Sequence, residues 1–382
     1  MSAEPAQPEC PRHGGKIGIL PPASAGSLGD QAMIDAAAGY IVDQLHRPVL
    51  IGPNFMHVRS KAELPKGTGA RAVLPIMARM MLTCRSMGCI GADVLDGVYN
   101  PDQVIKRVRF LSIAHRLGRT ARVFGASWSE TPSDIIIALL RKSPWLQLCA
   151  RDPISQARME KTLGREVRLV ADLAFLMQSG LTTPAAMRAR DWVQERRRAG
   201  RVVMGVNLSG HTLAKLPGDG VQVLAAPIIR WLAADAARDV LLMPHDRRGN
   251  VVGDGGVLGR LREILSDRFA DRLHALPVEL EAWDLKALAG EVDLVLTGRM
   301  HLAIAAMGMG TPAICTVYQG KFEGLMAHFG LEGMTVAPAD MDSAACDAQL
   351  ARVTESRAAI SGQIQARLPY ILDLSRRNFA GM

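Results

Sequence analysis

Thr297-Gly298-Arg299-Met300-His301 holds the densest chemistry in the chain. A buried-type apolar strand stops there, Gly298 permits a sharp turn, and two cationic-capable side chains enter the first turn of an apolar helix. Unsatisfied N–H groups and the positive end of the helix dipole make such a turn an anion site before any side chain is counted. Arg299 adds a planar fork suited to carboxylate or phosphate. His301 adds a group that can carry a proton. The helix end and Arg299 disfavour its charged form in an empty site, whereas a bound phosphate dianion favours it. The ring would then gain its proton with the substrate, as a general acid requires. The plainer alternative is that the two residues make ordinary interdomain hydrogen bonds.

Other apolar runs end in similar residues. Leu146 to Ala150 leads into Arg151-Asp152, Arg168 to Val170 into Ala171-Asp172, and Asp239 to Met243 into Pro244-His245-Asp246. In open α/β sheets ligands bind beyond the carboxyl ends of the strands, so these residues are expected at a common cleft. Each also has a simpler reading: Asp172 as the end of a strand, Asp30 as a helix N-cap.

The elements that must position them are repeated strand–helix units. Lys16 to Leu20 reads as a strand, Ala25 to Asp30 as a glycine turn, and Ala32, Met33, Ala36, Ala37, Tyr40, Ile41 and Leu45 recur at helical spacing. Similar units follow to about Ser179, where the strand pattern lapses through an arginine-rich stretch. A second set begins at Val202 to Asn207 and ends with the strand Ala313 to Val317. This alternation predicts α/β architecture with largely parallel sheets. Two sets predict two Rossmann-like domains facing a cleft, the GT-B-like arrangement; one large sheet with insertions is the alternative. The expected divisions are a disordered leader over 1–15, an N-terminal domain over 16–195, a C-terminal domain over 196–345, and two helices over 346–382.

Composition narrows the function. The chain has 382 residues, 48% hydrophobic and 21% charged, which is globular and long enough for two cores. Six scattered cysteines lack zinc-like spacing and read as reduced cytosolic thiols, so no metal is expected. No apolar run reaches the ~18 residues of a membrane span, and Met1 to Gly15 has no signal-peptide core. The protein reads as soluble and cytoplasmic. A net charge of +8 favours anionic partners. The basic residues are dispersed without interleaved aromatics, which argues against nucleic acid.

Several segments together resemble the polysaccharide pyruvyl transferase family. The C-terminal signature is carried by Gly298-Arg299-Met300-His301, Gly310-Thr311-Pro312 and Tyr318-Gln319-Gly320-Lys321. Gly26 to Asp30, Ala150-Arg151-Asp152, Val170-Ala171-Asp172 and Met243 to Asp246 follow the same order. The resemblance implies a GT-B-like fold and transfer of a pyruvyl group from phosphoenolpyruvate to a glycan sugar, giving a pyruvate ketal. It implies that Arg299 binds the donor's anionic groups, that His301 is catalytic, and that Lys321 adds charge to phosphate. Ser209-Gly210-His211 stands where relatives carry an arginine, so the donor is expected to recruit another cation, Arg151 or Arg247. Asp30 and Asp172, with Asp93 and Asp96, are candidates for acting on acceptor hydroxyls, and His245 for binding substrate. No cofactor is implied beyond the donor itself. The acceptor would be a free glycan or a lipid-linked oligosaccharide, the latter with peripheral association at the inner membrane face. Competing readings are a GT-B glycosyltransferase using a nucleotide sugar and a non-catalytic glycan- or anion-binding protein.

Overall fold

The computed structural model describes residues 15–22, 26–53, 57–64, 70–213, 216, 218–249, 253–317 and 322–382. Most of the expected leader, and Lys321, therefore lie outside the described residues. Among the described residues, twelve strands form two all-parallel six-stranded sheets. The first contains β1 (Lys16–Leu20), β2 (Val49–Ile51), β3 (Cys84–Ala92), β4 (Thr120–Ala126), β5 (Gln147–Ala150) and β6 (Arg168–Leu169). The second contains β7 (Val202–Asn207), β8 (Arg238–Leu242), β9 (Leu273–Ala275), β10 (Leu294–Thr297), β11 (Ala313–Thr316) and β12 (Thr335–Val336). Central strands such as β10 are buried along their whole length, which explains their unbroken apolar runs.

Strand order places the crevices. The second sheet runs β12-β11-β10-β7-β8-β9, so the chain reverses direction between β7 and β10. This is the Rossmann order, and Asn207 and Thr297 stand side by side at its switch point. The first sheet runs β2-β1-β3-β4-β5-β6 and reverses between β1 and β3. Both switch points contribute to one interdomain cleft: the turn after β1 supplies Ser27 and Asp30, the loop after β3 supplies Asp93, and the turn after β10 supplies Arg299 and His301.

Three helices of the first domain matter below: α1 (Leu28–Gly39), α2 (Ala70–Thr83) and α3 (Pro101–Arg116). The domains are joined by specific bonds as well as packing. Arg247 N–H donates to Gly26 O at 2.9 Å and Leu28 N–H to His245 O at 3.3 Å. Lys286, on the helix Ala282–Glu291, donates to the carbonyls of Phe175 and Met177 at 2.9 and 2.6 Å. Burial, with Arg59 nearby, pushes its ammonium down to about 8.

Where two C-terminal helices were expected, one helix runs from Ala344 to Arg376. Pro369 lies inside it; the helix survives this residue, which lacks one N–H donor. The chain then turns back onto the first domain. Ser375 Oγ donates to Asp172 O at 2.7 Å, and Asn378 Nδ2 to Ala171 O at 3.0 Å. Asn378 Oδ1 also accepts from Gly125 N–H at 2.8 Å.

Candidate active site

His301 is set by the turn after β10, which is braced locally and by the neighbouring strand β7. Thr297 Oγ1 accepts from Arg299 N–H at 2.9 Å, Gly298 N–H reaches Asn207 O at 3.3 Å, and the helix Met300–Met307 begins immediately. Opposite it, Gly26 takes φ +98, a conformation glycine adopts without strain, and Ser27 caps α1 by accepting from Asp30 N–H at 3.4 Å. The cap is thus Ser27, and Asp30 lies in the first turn lining the cleft. The two turns meet at Gly29. A Cβ there would stand 2.9 Å from His301 Cβ and closer still to Nδ1 and Cγ. Only glycine lets α1 approach the catalytic candidate this closely. Gly29→Ala is therefore expected to displace the imidazole and lower kcat, with much less effect on the melting temperature. Steady-state kinetics beside a thermal melt would check this, and an unchanged kcat would show that the ring's position is not critical.

Behind His301 lies a buried charge group. Asp172 Oδ2 is 3.7 Å from His301 Nε2, an ion-pair separation too long for a hydrogen bond. The same oxygen accepts from Arg151 NH1 at 3.0 Å, while Oδ1 accepts from Ala174 N–H at 2.9 Å. Burial alone would raise this carboxyl; His301, Arg151 and the Ala174 N–H override it and hold it well below the usual range. Asp172 is consequently ionised at neutral pH. Its stabilising effect is lost only as pH falls through that depressed value. The sequence placed Asp172 among candidates for acceptor hydroxyls; the geometry places it behind His301, with both oxygens engaged. Arg151 is equally committed, donating Nε to Ser127 Oγ at 2.7 Å, though its side chain also lines the cleft. His301 Nε2 itself is buried with no hydrogen-bond partner.

Arg299 differs most from the expectation for its side chain. Its Nε and NH2 donate to Asp254 Oδ1 at 3.0 and 2.6 Å, and NH1 lies 3.2 Å from Asp246 Oδ2. Both carboxylates are buried, and Asn207 Nδ2 donates to the second oxygen of Asp254 at 2.8 Å. Burial raises Asp254 above the usual carboxylate range despite Arg299, the His245 N–H and Asn207. Arg248 also pairs with Asp246. The Arg299 fork thus organises two acidic side chains at the cleft's edge. His245 is buried in the same wall, and burial, together with His301 and Arg299, pushes its imidazole well below the usual range. It is neutral at neutral pH.

The cleft has a volume of about 370 Å³ and brings Asp30, Arg151, His245, Arg299 and His301 together. The first domain adds Asp93, Tyr99, Gln103 and Arg107, the last three of which the sequence did not single out. Their signal was faint: a polar turn, Tyr99-Asn100, ahead of a helix opened by Pro101. Asn100 caps α3 by accepting from Gln103 N–H at 3.1 Å, so this helix also aims its N-terminus at the cleft. Asp96 instead shapes its loop, accepting from the Val98 and Ser129 N–H groups at 3.2 Å. Arg247 is turned onto Leu280 O and Glu281. Among the described residues no cluster of His, Cys, Asp and Glu could hold a metal ion.

The chain is similar to UDP-GlcNAc 2-epimerase from Neisseria meningitidis bound to UDP-GlcNAc, with 10% identity and a TM-score of 0.55 over 95% of this chain and 99% of that one. It is also similar to an α,α-trehalose-phosphate synthase (UDP-forming) from Burkholderia vietnamiensis, with 13% identity and a TM-score of 0.57 over 96% of each chain. At such identities the likeness establishes the GT-B arrangement of two Rossmann-like domains and nothing finer. Family membership comes from the sequence itself, whose residues 28–320 match the model for polysaccharide pyruvyl transferase. The chain belongs to the polysaccharide pyruvyl transferase family.

Proposed function

We propose that this enzyme transfers a pyruvyl group from phosphoenolpyruvate to two hydroxyls of a glycan sugar, forming a cyclic pyruvate ketal and releasing phosphate. The observation that carries the reading is His301: a cleft-lining imidazole whose Nε2 lies 3.7 Å from an ionised, buried aspartate. The N-termini of α1, α3 and the helix Met300–Met307 open onto the cleft and favour the donor's phosphate and carboxylate. Lys321, at its motif position, adds a further charge to the phosphate.

In this mechanism His301 delivers its proton to the donor methylene, which becomes the ketal methyl. The adjacent carbon becomes electrophilic and one acceptor hydroxyl adds to it, giving up its proton. Phosphate leaves, and the second hydroxyl closes the ring as it loses its own proton. Asp172 stabilises the imidazolium, a role its charge and position suit. Asp30 and Asp93, which also line the cleft, take the hydroxyl protons in this reading. The reaction needs no cofactor.

Purified protein given phosphoenolpyruvate and a panel of glycosides is expected to release phosphate only when a suitable acceptor is present. Release of UDP from a nucleotide sugar, without phosphate from phosphoenolpyruvate, would replace this reading with glycosyl transfer.

A further inference from the structure

We propose that α2 and the outer side of α3 form a surface that docks on an anionic lipid bilayer, so that the cleft receives a lipid-linked glycan. The acceptor half of this proposal rests on the pyruvyl-transfer reading above; the docking half does not. Among the described residues, no helix is long and apolar enough to cross a membrane, so any membrane contact these helices make lies along the surface.

The first observation is that α2 is apolar on both sides. In its fourteen residues, Ala70–Thr83, the only charged ones are Arg71 and Arg79. Ile76 and Met80 face inward and are buried. Leu74 and Leu82 face outward, 78% and 81% exposed, the highest values among the large apolar side chains described. Ala78 lies between them on the same stripe, also exposed. A surface helix ordinarily turns a polar face to water, and one that is apolar all round is ordinarily buried. Single exposed apolar residues are common and mean little, but an apolar stripe on an otherwise buried-type helix is a surface awaiting contact.

The second observation is charge. Residues 70–119 contain eight Lys and Arg against three Asp, a net +5 within a chain of net +8. On α3 and its C-cap, Arg109, Ile113, Arg116 and Leu117 follow at i, i+4, i+7 and i+8, and all are exposed. Basic residues interleaved with apolar ones are the pattern of a helix lying in a bilayer interface. Both helices pack on the same face of the first sheet, where Ile76 and Met80 share one apolar cluster with Val104, Val108 and Leu111. Arg79 is paired with Glu63 at 2.6 Å, so the net positive charge that repels a second copy of this surface and attracts anionic headgroups lies on α3. The N-terminal end of α3 reaches the cleft through Gln103 and Arg107, so a membrane held along this helix lies close to the acceptor side.

The test is co-sedimentation of the full chain with phosphatidylcholine vesicles, with and without phosphatidylglycerol, at low and high salt. Binding is expected only with phosphatidylglycerol and only at low salt. Leu74→Asp with Leu82→Asp, and separately Arg109→Glu with Arg116→Glu, should each abolish it. Each charge reversal alone should weaken binding at least about fivefold, the equivalent of the ~1 kcal/mol a basic residue contributes near such a surface. Phosphate release with a soluble glycoside should be unchanged in every variant, whereas release with a lipid-linked acceptor in vesicles should fall. Parental vesicle binding by both double variants would overturn the proposal. So would light scattering showing a parent dimer that the leucine variant converts to monomer, since the surface would then belong to a second copy. If vesicle binding follows the variants as described but no acceptor yields phosphate, docking stands and the pyruvyl-transfer reading fails.

Discussion

His301→Asn is expected to lose about 10²–10⁴ in single-turnover rate while still binding phosphoenolpyruvate, because removing a general acid costs that much without removing the anion site. Asparagine fills a similar place beside Gly29 and can face Asp172, but it cannot transfer a proton. The pH dependence of the parent's single-turnover rate should be absent from the variant's residual rate. Donor affinity by calorimetry and rapid-quench rates across pH would separate binding from chemistry. A variant turning over at the parental rate with the parental pH profile would make His301 a structural residue. The search for the acid would then pass to the N-domain carboxylates, since His245 is held neutral.

Loss of Arg299 should show first as instability. Its fork holds Asp254 and Asp246, both nearly free of solvent, and removing one partner of a buried pair costs about 3–5 kcal/mol. Arg299→Met is expected to lose stability in that range. Arg299→Lys should lose less, since it keeps the charge but cannot bridge two carboxylates with a planar fork. The pH dependence has a definite sign. Asp254 is already raised by burial, and without Arg299 it rises further. A carboxyl raised in the folded state binds protons that the unfolded chain does not, so stability improves as pH falls through that interval. The deficit of Arg299→Met should therefore narrow in mild acid, and adding Asp254→Asn should recover part of it at neutral pH. Urea unfolding of the three variants at two pH values would measure this. A variant of parental stability that bound phosphoenolpyruvate much more weakly would return Arg299 to direct contact with the donor.

The contrast between these two residues shows what the sequence could convey. Apolar strands ending in glycine and polar residues were legible, so the turn at Thr297 to His301 and the turn at Gly26 to Asp30 could be located before any fold was known. The partners of those residues were not. Asp254 lies 45 positions from Arg299 in a glycine-rich loop whose pattern carries no period, and only the sheet's switch point brings the two together. Asp172 was singled out, but its burial behind His301 depends on how the domains meet. Helix α2 went unread; it carries Pro75 in its second turn, a residue that ordinarily reads as a helix breaker. The C-terminal segment, expected as two helices, is one continuous helix that carries Pro369 without ending there.

The return of the chain onto the first domain bears on the order of assembly. Asp172 O is held by Ser375, 203 positions away, and Ala171 O by Asn378, 207 positions away. Closing so large a loop is entropically slow compared with forming the local strand–helix units. During synthesis the first sheet can form as soon as β6 has emerged, but the segment that backs His301 still lacks its last braces. Catalytic competence should therefore lag behind compaction in refolding, with tryptophan burial complete before activity returns.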